Sequence, residues 1–275
     1  MPMRSVNGTR LYYEDTGGSG DVVLFSHGLL WSTRLFDPQV EALRGRFRCV
    51  AYDHRGQGQS DVPPDKVIDV ETVYADAVAL IESLGVAPVH FVGLSMGGFV
   101  GMRLAARRPE LLRSLVLLET SADPEPPLNV PRYTALNLVA RYVGLAPVAT
   151  PVMRIMFGTS FLTDPGRAEE RALWDARLKG NRRDIYRAVN GVMKRKAIAD
   201  ELPRIRTPTL VIVGEEDRAT VPAKSERIHS LIPGSKLVRL SRGGHSSTVE
   251  EPALVNAELA PFLTQHASGQ AAQVG

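Results

Sequence analysis

The chain has 275 residues, 44% of them hydrophobic, which is enough for one large core or for one core with a small inserted subdomain. Its 33 Lys and Arg stand against 30 Asp and Glu, and the resulting formal charge of +3 is scattered, too weak and too diffuse to point to nucleic acid. Cys49 is the single cysteine, so an intramolecular disulfide and a cysteine-built zinc site are both excluded. Its place inside an apolar run reads as a buried, inert thiol.

In chain order, SVNGTRLYYED reads as a hairpin that turns at Asn7-Gly8. After the loop TGGSG come DVVLFSHG, FRCVAYDHRG, VHFVGLS, RSLVLLET, TPTLVIVG and SKLVRLS. These short runs of Val, Leu and Phe lack polar alternation, the pattern of strands buried on both faces. Helical patterns lie between them: Phe36 to Leu43, VYADAVALIESLG ending at Gly85, and MGGFVGMRLAARRPE ending near Pro109. The alternation predicts an α/β protein with a mostly parallel central sheet flanked by helices. It stops between about Ala122 and Arg206, where the proline-rich SADPEPPLNVP leads into helical periodicity without a convincing strand. We read this stretch, residues 122–206, as a helical cap inserted after the sixth strand, with 1–121 and 207–275 forming the core domain. Met153, Met156, Phe157, Phe161, Trp174, Tyr186 and Met193 supply the apolar faces of the cap. The tail HASGQAAQVG is small and polar and is expected to fray.

The stretch Gly93-Leu94-Ser95-Met96-Gly97 matches G-x-S-x-G, with a strand pattern before it and a helix pattern after it. A serine at so sharp a strand-to-helix turn has a strained backbone, and its small neighbours avoid collision with the adjacent strand and helix. The turn exposes the hydroxyl at a helix N-terminus, where backbone N–H groups favour an oxyanion. Ser95 is therefore the candidate nucleophile. A serine hydroxyl needs a base, and the base needs an orienting carboxylate. His245, in the Gly-Gly loop after the last strand, is the candidate base. His27 and His54, at earlier strand ends, read as architectural, and His90, His229 and His266 receive no role. VIVGEEDRATVP offers Glu215, Glu216 and Asp217 for the acid, and Asp217 is best placed at the loop apex. Glu119 is a rival, because it too ends a strand.

The order Ser, Asp, His, with SHGLL, YDHRGQGQSD, GLSMGG, VGEEDRATVP and GGHSS in sequence and at the right rough spacing, resembles the α/β-hydrolase fold superfamily over essentially the whole chain. The resemblance implies an oxyanion hole formed by the backbone N–H groups of Leu29 and Met96. It places Asp53, Arg55, Gly56, Gly58 and Ser60 in a structural loop. The serine at the elbow argues against epoxide hydrolases and haloalkane dehalogenases, which carry aspartate there. Leu29-Leu30-Trp31 departs from the glycine-rich oxyanion loop of the C–C bond hydrolases, and the HGGG of one esterase branch is absent. Among the rest the chain is most similar to 3-oxoadipate enol-lactonases and small carboxylesterases.

The expected activity is hydrolysis of a small to medium carboxylic ester or lactone through an acyl-enzyme, with Ser95, His245 and Asp217 as the triad. An enol-lactonase-like, acyl-transfer or perhydrolase role on the same triad is the alternative, and a non-catalytic ligand-binding homologue is a third reading. A dicarboxylate-like lactone would require a cation, for which Arg34, Arg132, Arg141 and Arg154 are candidates. Leu30 and Trp31 beside the elbow, with Phe157 and Trp174 from the cap, are the candidate substrate-binding residues. No metal or organic cofactor is expected. The partner is a small-molecule substrate rather than nucleic acid or membrane, since no uncharged apolar run reaches the roughly 20 residues of a span. The opening MPMRSVNGTRLYY lacks a signal-like apolar core, which makes a cytoplasmic location the expectation.

Overall fold

The computed structural model describes residues 2–269, so the last six residues of the tail expected to fray lie outside the described residues. Strands β1 (Met3–Val6) and β2 (Thr9–Asp15) pair antiparallel with Val6 opposite Thr9. The two turn residues between them, Asn7 and Gly8, both have positive φ, 44° and 74°, the backbone twist that a two-residue hairpin loop requires. The six apolar runs form β3 (Val22–Ser26), β4 (Arg48–Tyr52), β5 (Val89–Leu94), β6 (Leu112–Leu118), β7 (Thr209–Gly214) and β8 (Lys236–Leu240). The eight strands make one sheet in the order β1-β2-β4-β3-β5-β6-β7-β8, antiparallel at β1-β2-β4 and parallel from β4 onward.

Alternate strand residues feed two hydrophobic clusters, as a pleated sheet demands. Phe25, Ala51, Val92 and Leu118 join one, while Leu24, Val50, Phe91 and Leu117 join the other. Strands β3, β5 and β7 are buried at every position. β8 is not, contrary to expectation. It is the outermost strand, and its exposed Lys236 and Arg239 pair with Glu258 and with Glu215 and Glu226. Charged side chains on an edge strand discourage further strand addition, so an apolar run there need not be covered on both faces. Cys49 is buried in β4, and burial pushes its thiol up to about 12.

Helices α1 (Asp37–Leu43), α2 (Val70–Leu84) and α3 (Met96–Arg107) follow β3, β4 and β5. Asp69 caps α2 by accepting the Thr72 N–H at 2.7 Å, and Gly85 ends it in the left-handed region at φ 63°. Between β6 and β7 the described chain is helical throughout its regular structure: α4 (Val130–Tyr142), α5 (Ala149–Met156), α6 (Thr159–Thr163), α7 (Ala168–Lys179) and α8 (Tyr186–Met193). These helices share one hydrophobic cluster with the body of the protein, through Met153, Phe157, Phe161, Trp174 and Ile185 against Trp31, Leu35 and Phe36. The chain then closes with α9 (Pro222–Leu231), α10 (Ser247–Glu250) and α11 (Pro252–Gln265). No described helix is long and apolar enough to cross a membrane. Ser95, Asp217 and His245 all fall in connections just beyond the carboxyl ends of β5, β7 and β8, where open α/β sheets place their ligands.

Candidate active site

The backbone at Ser95 has φ 52° and ψ −107°, outside the regions an L-residue ordinarily occupies. Its N–H is held by the Leu118 carbonyl at 2.9 Å and its own carbonyl accepts the Thr120 hydroxyl at 2.8 Å, so neighbouring strands over-determine the strained turn. The small residues around it are sterically required. A Cβ on Gly97 would lie 1.9 Å from the Ser26 carbonyl oxygen, and one on Gly93 would lie 2.4 Å from that of Gly97. Leu30, at φ 75°, and Glu119, at φ 41°, are also in the positive-φ region, which puts three of the four such non-glycine residues in the described chain around one place.

His245 and Asp217 are both buried, and the imidazole Nδ1 lies 3.1 and 3.0 Å from the two carboxylate oxygens. The carboxylate is itself fixed: Oδ1 accepts the N–H groups of Ala219 and Thr220 at 2.8 and 3.0 Å, and Oδ2 accepts the Thr220 hydroxyl at 2.8 Å. An Nδ1–H facing Asp217 leaves Nε2 as the basic nitrogen. Ser95 and His245 line the same cavity. Among the described residues no hydrogen bond joins Ser95 Oγ to His245, a contact that often tightens only with substrate in place.

Glu119, the rival acid, is fully buried and accepts the Gly214 N–H at 3.2 Å rather than facing His245. Burial first, and the neighbouring Asp217 charge second, hold its carboxyl well above the usual range. It stands behind Asp217, on the far side from the imidazole. Glu250 is a second buried carboxyl that sequence reasoning missed. It accepts the N–H groups of Gly158, Gly244 and Ser246 at 2.7, 3.0 and 3.0 Å, tying the α5–α6 turn to the His245 loop. Burial raises it to about 7 against those three donors.

The histidines at the strand ends are structural. His27 Nδ1 donates to the Gly28 carbonyl at 2.7 Å and its Nε2 accepts the His54 N–H at 3.0 Å, while burial lowers both imidazoles toward the neutral form. Asp53 accepts the N–H groups of Thr33 and Gln59, Arg55 pairs with Asp76, and Ser60 donates to the Asp53 carbonyl at 2.6 Å. The Leu29 N–H donates to no protein group among the described residues, and Met96 opens α3, where the N–H has no intrahelical acceptor. The next residue is pinned from two sides. The Leu30 N–H donates to Gln57 Oε1 at 2.9 Å, and its carbonyl accepts Asn181 Nδ2 at 3.0 Å. Gln57 also places its Nε2 3.8 Å from Met96 Sδ. Neither amide was singled out in the sequence: Gln57 lies within YDHRGQGQSD, read as a structural loop through its other residues, and Asn181 belongs to no motif.

The cavity has a volume of about 130 Å³ and a mostly aliphatic wall in which Leu29, Leu136, Ile155, Met156, Val189 and Met193 are prominent. Its polar residues beyond Ser95 and His245 include Arg195 and Glu125, which form a buried ion pair at 2.8 Å. Leu30 lines this cavity. Trp31, Phe157 and Trp174, expected as substrate contacts, are not in this wall: they pack on one another beside it, with ring centroids 5.1 to 6.2 Å apart. Arg34, Arg132, Arg141 and Arg154 are likewise not part of the wall. Trp31, Trp174 and Arg34 instead line a second cavity on the other side of Leu30. Among the described residues no group of three or more His, Cys, Asp or Glu is arranged to hold a metal ion.

The family model of the alpha/beta hydrolase fold matches residues 21–252. The protein named "Putative carbamate hydrolase RutD" from Caulobacter sp. (strain K31) is 32% identical over 274 residues, covering 95% of this chain and 97% of its own. The crystal structure of the enol-lactonase from Burkholderia xenovorans LB400 superposes with a TM-score of 0.88 at 28% identity, covering 96% of this chain and all of its own. A thermophilic esterase from Thermogutta terrifontis gives the same TM-score at 27% identity, covering 97% and 99%. With its sheet order, its strained serine turn and a family match over most of its length, the chain belongs to the α/β-hydrolase fold family, and its relatives support hydrolase chemistry.

Proposed function

We propose that the protein is a serine hydrolase that cleaves a small to medium carboxylic ester or lactone carrying a neutral, apolar acyl group. The observation that carries this reading is the placement of a strained Ser95 and a carboxylate-held His245 on one largely aliphatic cavity. In the proposed reaction His245 Nε2 takes the Ser95 proton as Oγ attacks the carbonyl carbon, and Asp217 stabilises the imidazolium. The N–H groups of Leu29 and Met96 receive the negative oxygen. Collapse expels the alcohol, which takes the proton from His245, and a water activated by the same imidazole releases the acid.

The acyl group is inferred from the wall. A cavity near 130 Å³ is slightly smaller than the roughly 150 Å³ that accommodates benzene, so an acyl chain of roughly six carbons matches the space. A bare carbamate, the substrate class in the name of the Caulobacter relative, would leave this aliphatic wall without contacts. A dicarboxylate lactone would meet a single arginine already neutralised by Glu125. The helices of 122–206 act in this reading as a cap that selects the acyl group. The test is Ser95→Ala assayed on p-nitrophenyl esters. Turnover is expected to fall by about four orders of magnitude with the fold retained, and wild-type-like rates in a pure preparation would overturn the mechanism.

A further inference from the structure

We propose that the second cavity, across Leu30 from the catalytic one, is a binding site for a small organic carboxylate. It has a volume of about 190 Å³ and is lined by Trp31, Trp174, Gln57, Arg34, Arg177 and Arg182, among others. Since a cavity of roughly 150 Å³ takes benzene, this one has room for a benzoate-sized acid. Its charge is positive and only partly compensated. Arg34 is paired with Glu14 and Asp37. Among the described residues Arg177 and Arg182 make no ion pair with any carboxylate: Arg177 lies 4.5 Å above the Trp174 ring, and Arg182 donates to the Ser60 carbonyl at 2.8 Å. A guanidinium presents a donor fork that matches a carboxylate in two parallel hydrogen bonds. Burial holds the Arg177 guanidinium below its usual range, with Asp37 opposing and nearby Arg34 adding to the shift, so an incoming anion relieves an existing electrostatic cost.

A separate observation points the same way. Among the described residues the Trp31 indole Nε1 is buried without a hydrogen-bond partner, and such a donor gains from any acceptor brought to it. An acid whose oxygens meet the guanidiniums and the Trp31 N–H while its body rests against indole walls answers both features. An inorganic anion would use the charges and leave the aromatic walls uncovered. The site stands independently of the proposed role of Ser95.

The experiment uses the intact protein and its own fluorescence. The chain has two tryptophans, and both line this cavity. Titration with sodium benzoate at constant ionic strength should give a saturable change in tryptophan emission, with neutral benzamide and inorganic phosphate each at least about tenfold weaker. Arg177→Gln, and in a second variant Arg182→Gln, should weaken benzoate by about tenfold, whereas Leu136→Phe, which fills the catalytic cavity, should leave it unchanged within about twofold. The proposal is overturned by the absence of a saturable response, by equal binding of benzamide or phosphate, or by loss of the response in Leu136→Phe, which would put the acid in the catalytic cavity.

Discussion

A side chain that orients an imidazole must be held in place and must face the ring, and the two candidate acids differ in what they face. Asp217 is held by three donors of its own loop with both oxygens within 3.1 Å of His245 Nδ1, while Glu119 sits behind it with its carboxyl pushed toward the neutral form by burial and by Asp217. Asp217→Asn should therefore lower kcat by a factor on the order of 10⁴, because the amide favours the wrong tautomer, whereas Glu119→Gln, at a side chain that does not contact His245, should cost less than about tenfold. Steady-state kinetics on one p-nitrophenyl ester would decide, and a reversal of the two losses would move the acid to Glu119. At this scale the sequence could nominate both residues, since each ends a strand. What separates them is which one faces His245 Nδ1, and that belongs to the folded chain. The same holds for Trp31, Phe157 and Trp174: their composition marks them as apolar, but whether an apolar ring faces a cavity or another ring depends on the packing of distant segments.

The elements that were easiest to read are those whose local and global demands agree. The β5–α3 turn has a strand period before it, a helix period after it and glycines where any Cβ would strike backbone. The helices between β6 and β7 lack that agreement. Their periodicity announces helix, yet α4 and α7 bury few residues, and which of their faces touches substrate is set by how they lie on the sheet. The lining contributed by α4, α5 and α8 gives a direct expectation. Trimming Leu136 or Met193 to Ala should shift the preferred acyl chain of p-nitrophenyl esters toward greater length, with roughly 1 to 3 kcal/mol of discrimination per methylene contact and with acetate turnover retained. Trp174→Ala should instead destabilise by about 3 to 5 kcal/mol through loss of the aromatic cluster, measured by chemical denaturation. An unchanged ranking after both trims would remove these helices as the specificity element.

For the molecule as a whole, the buried carboxyls make stability depend on pH. Burial raises Glu250 from the usual 4.5 to about 7, so the folded state keeps a proton that the unfolded chain gives up. The sign follows: the stability associated with neutral Glu250 is complete below about 4.5 and is lost as pH climbs to about 7. Glu250→Gln does not titrate, so relative to wild type it should gain up to about 3 kcal/mol between pH 4.5 and pH 8, on top of a constant offset from the altered hydrogen bonds to Gly158, Gly244 and Ser246. Urea denaturation at the two pH values checks this, and a gap that stays constant would show that Glu250 does not titrate in that window.

The contact between Asn181 and the Leu30 carbonyl carries a further consequence for how such a protein works through time. Leu30 holds a backbone conformation that a leucine does not favour alone, and one of its two restraints comes from Asn181, just beyond α7 and on the second cavity rather than the catalytic one. If the inserted helices swing away to admit a molecule, that restraint leaves with them and the adjoining Leu29 amide loses its fixed aim. Readiness for reaction is then tied to enclosure. Under the proposed function, such an open chamber would be a poor catalyst, and a well-fitting guest that drew the helices down would restore the geometry that processes it.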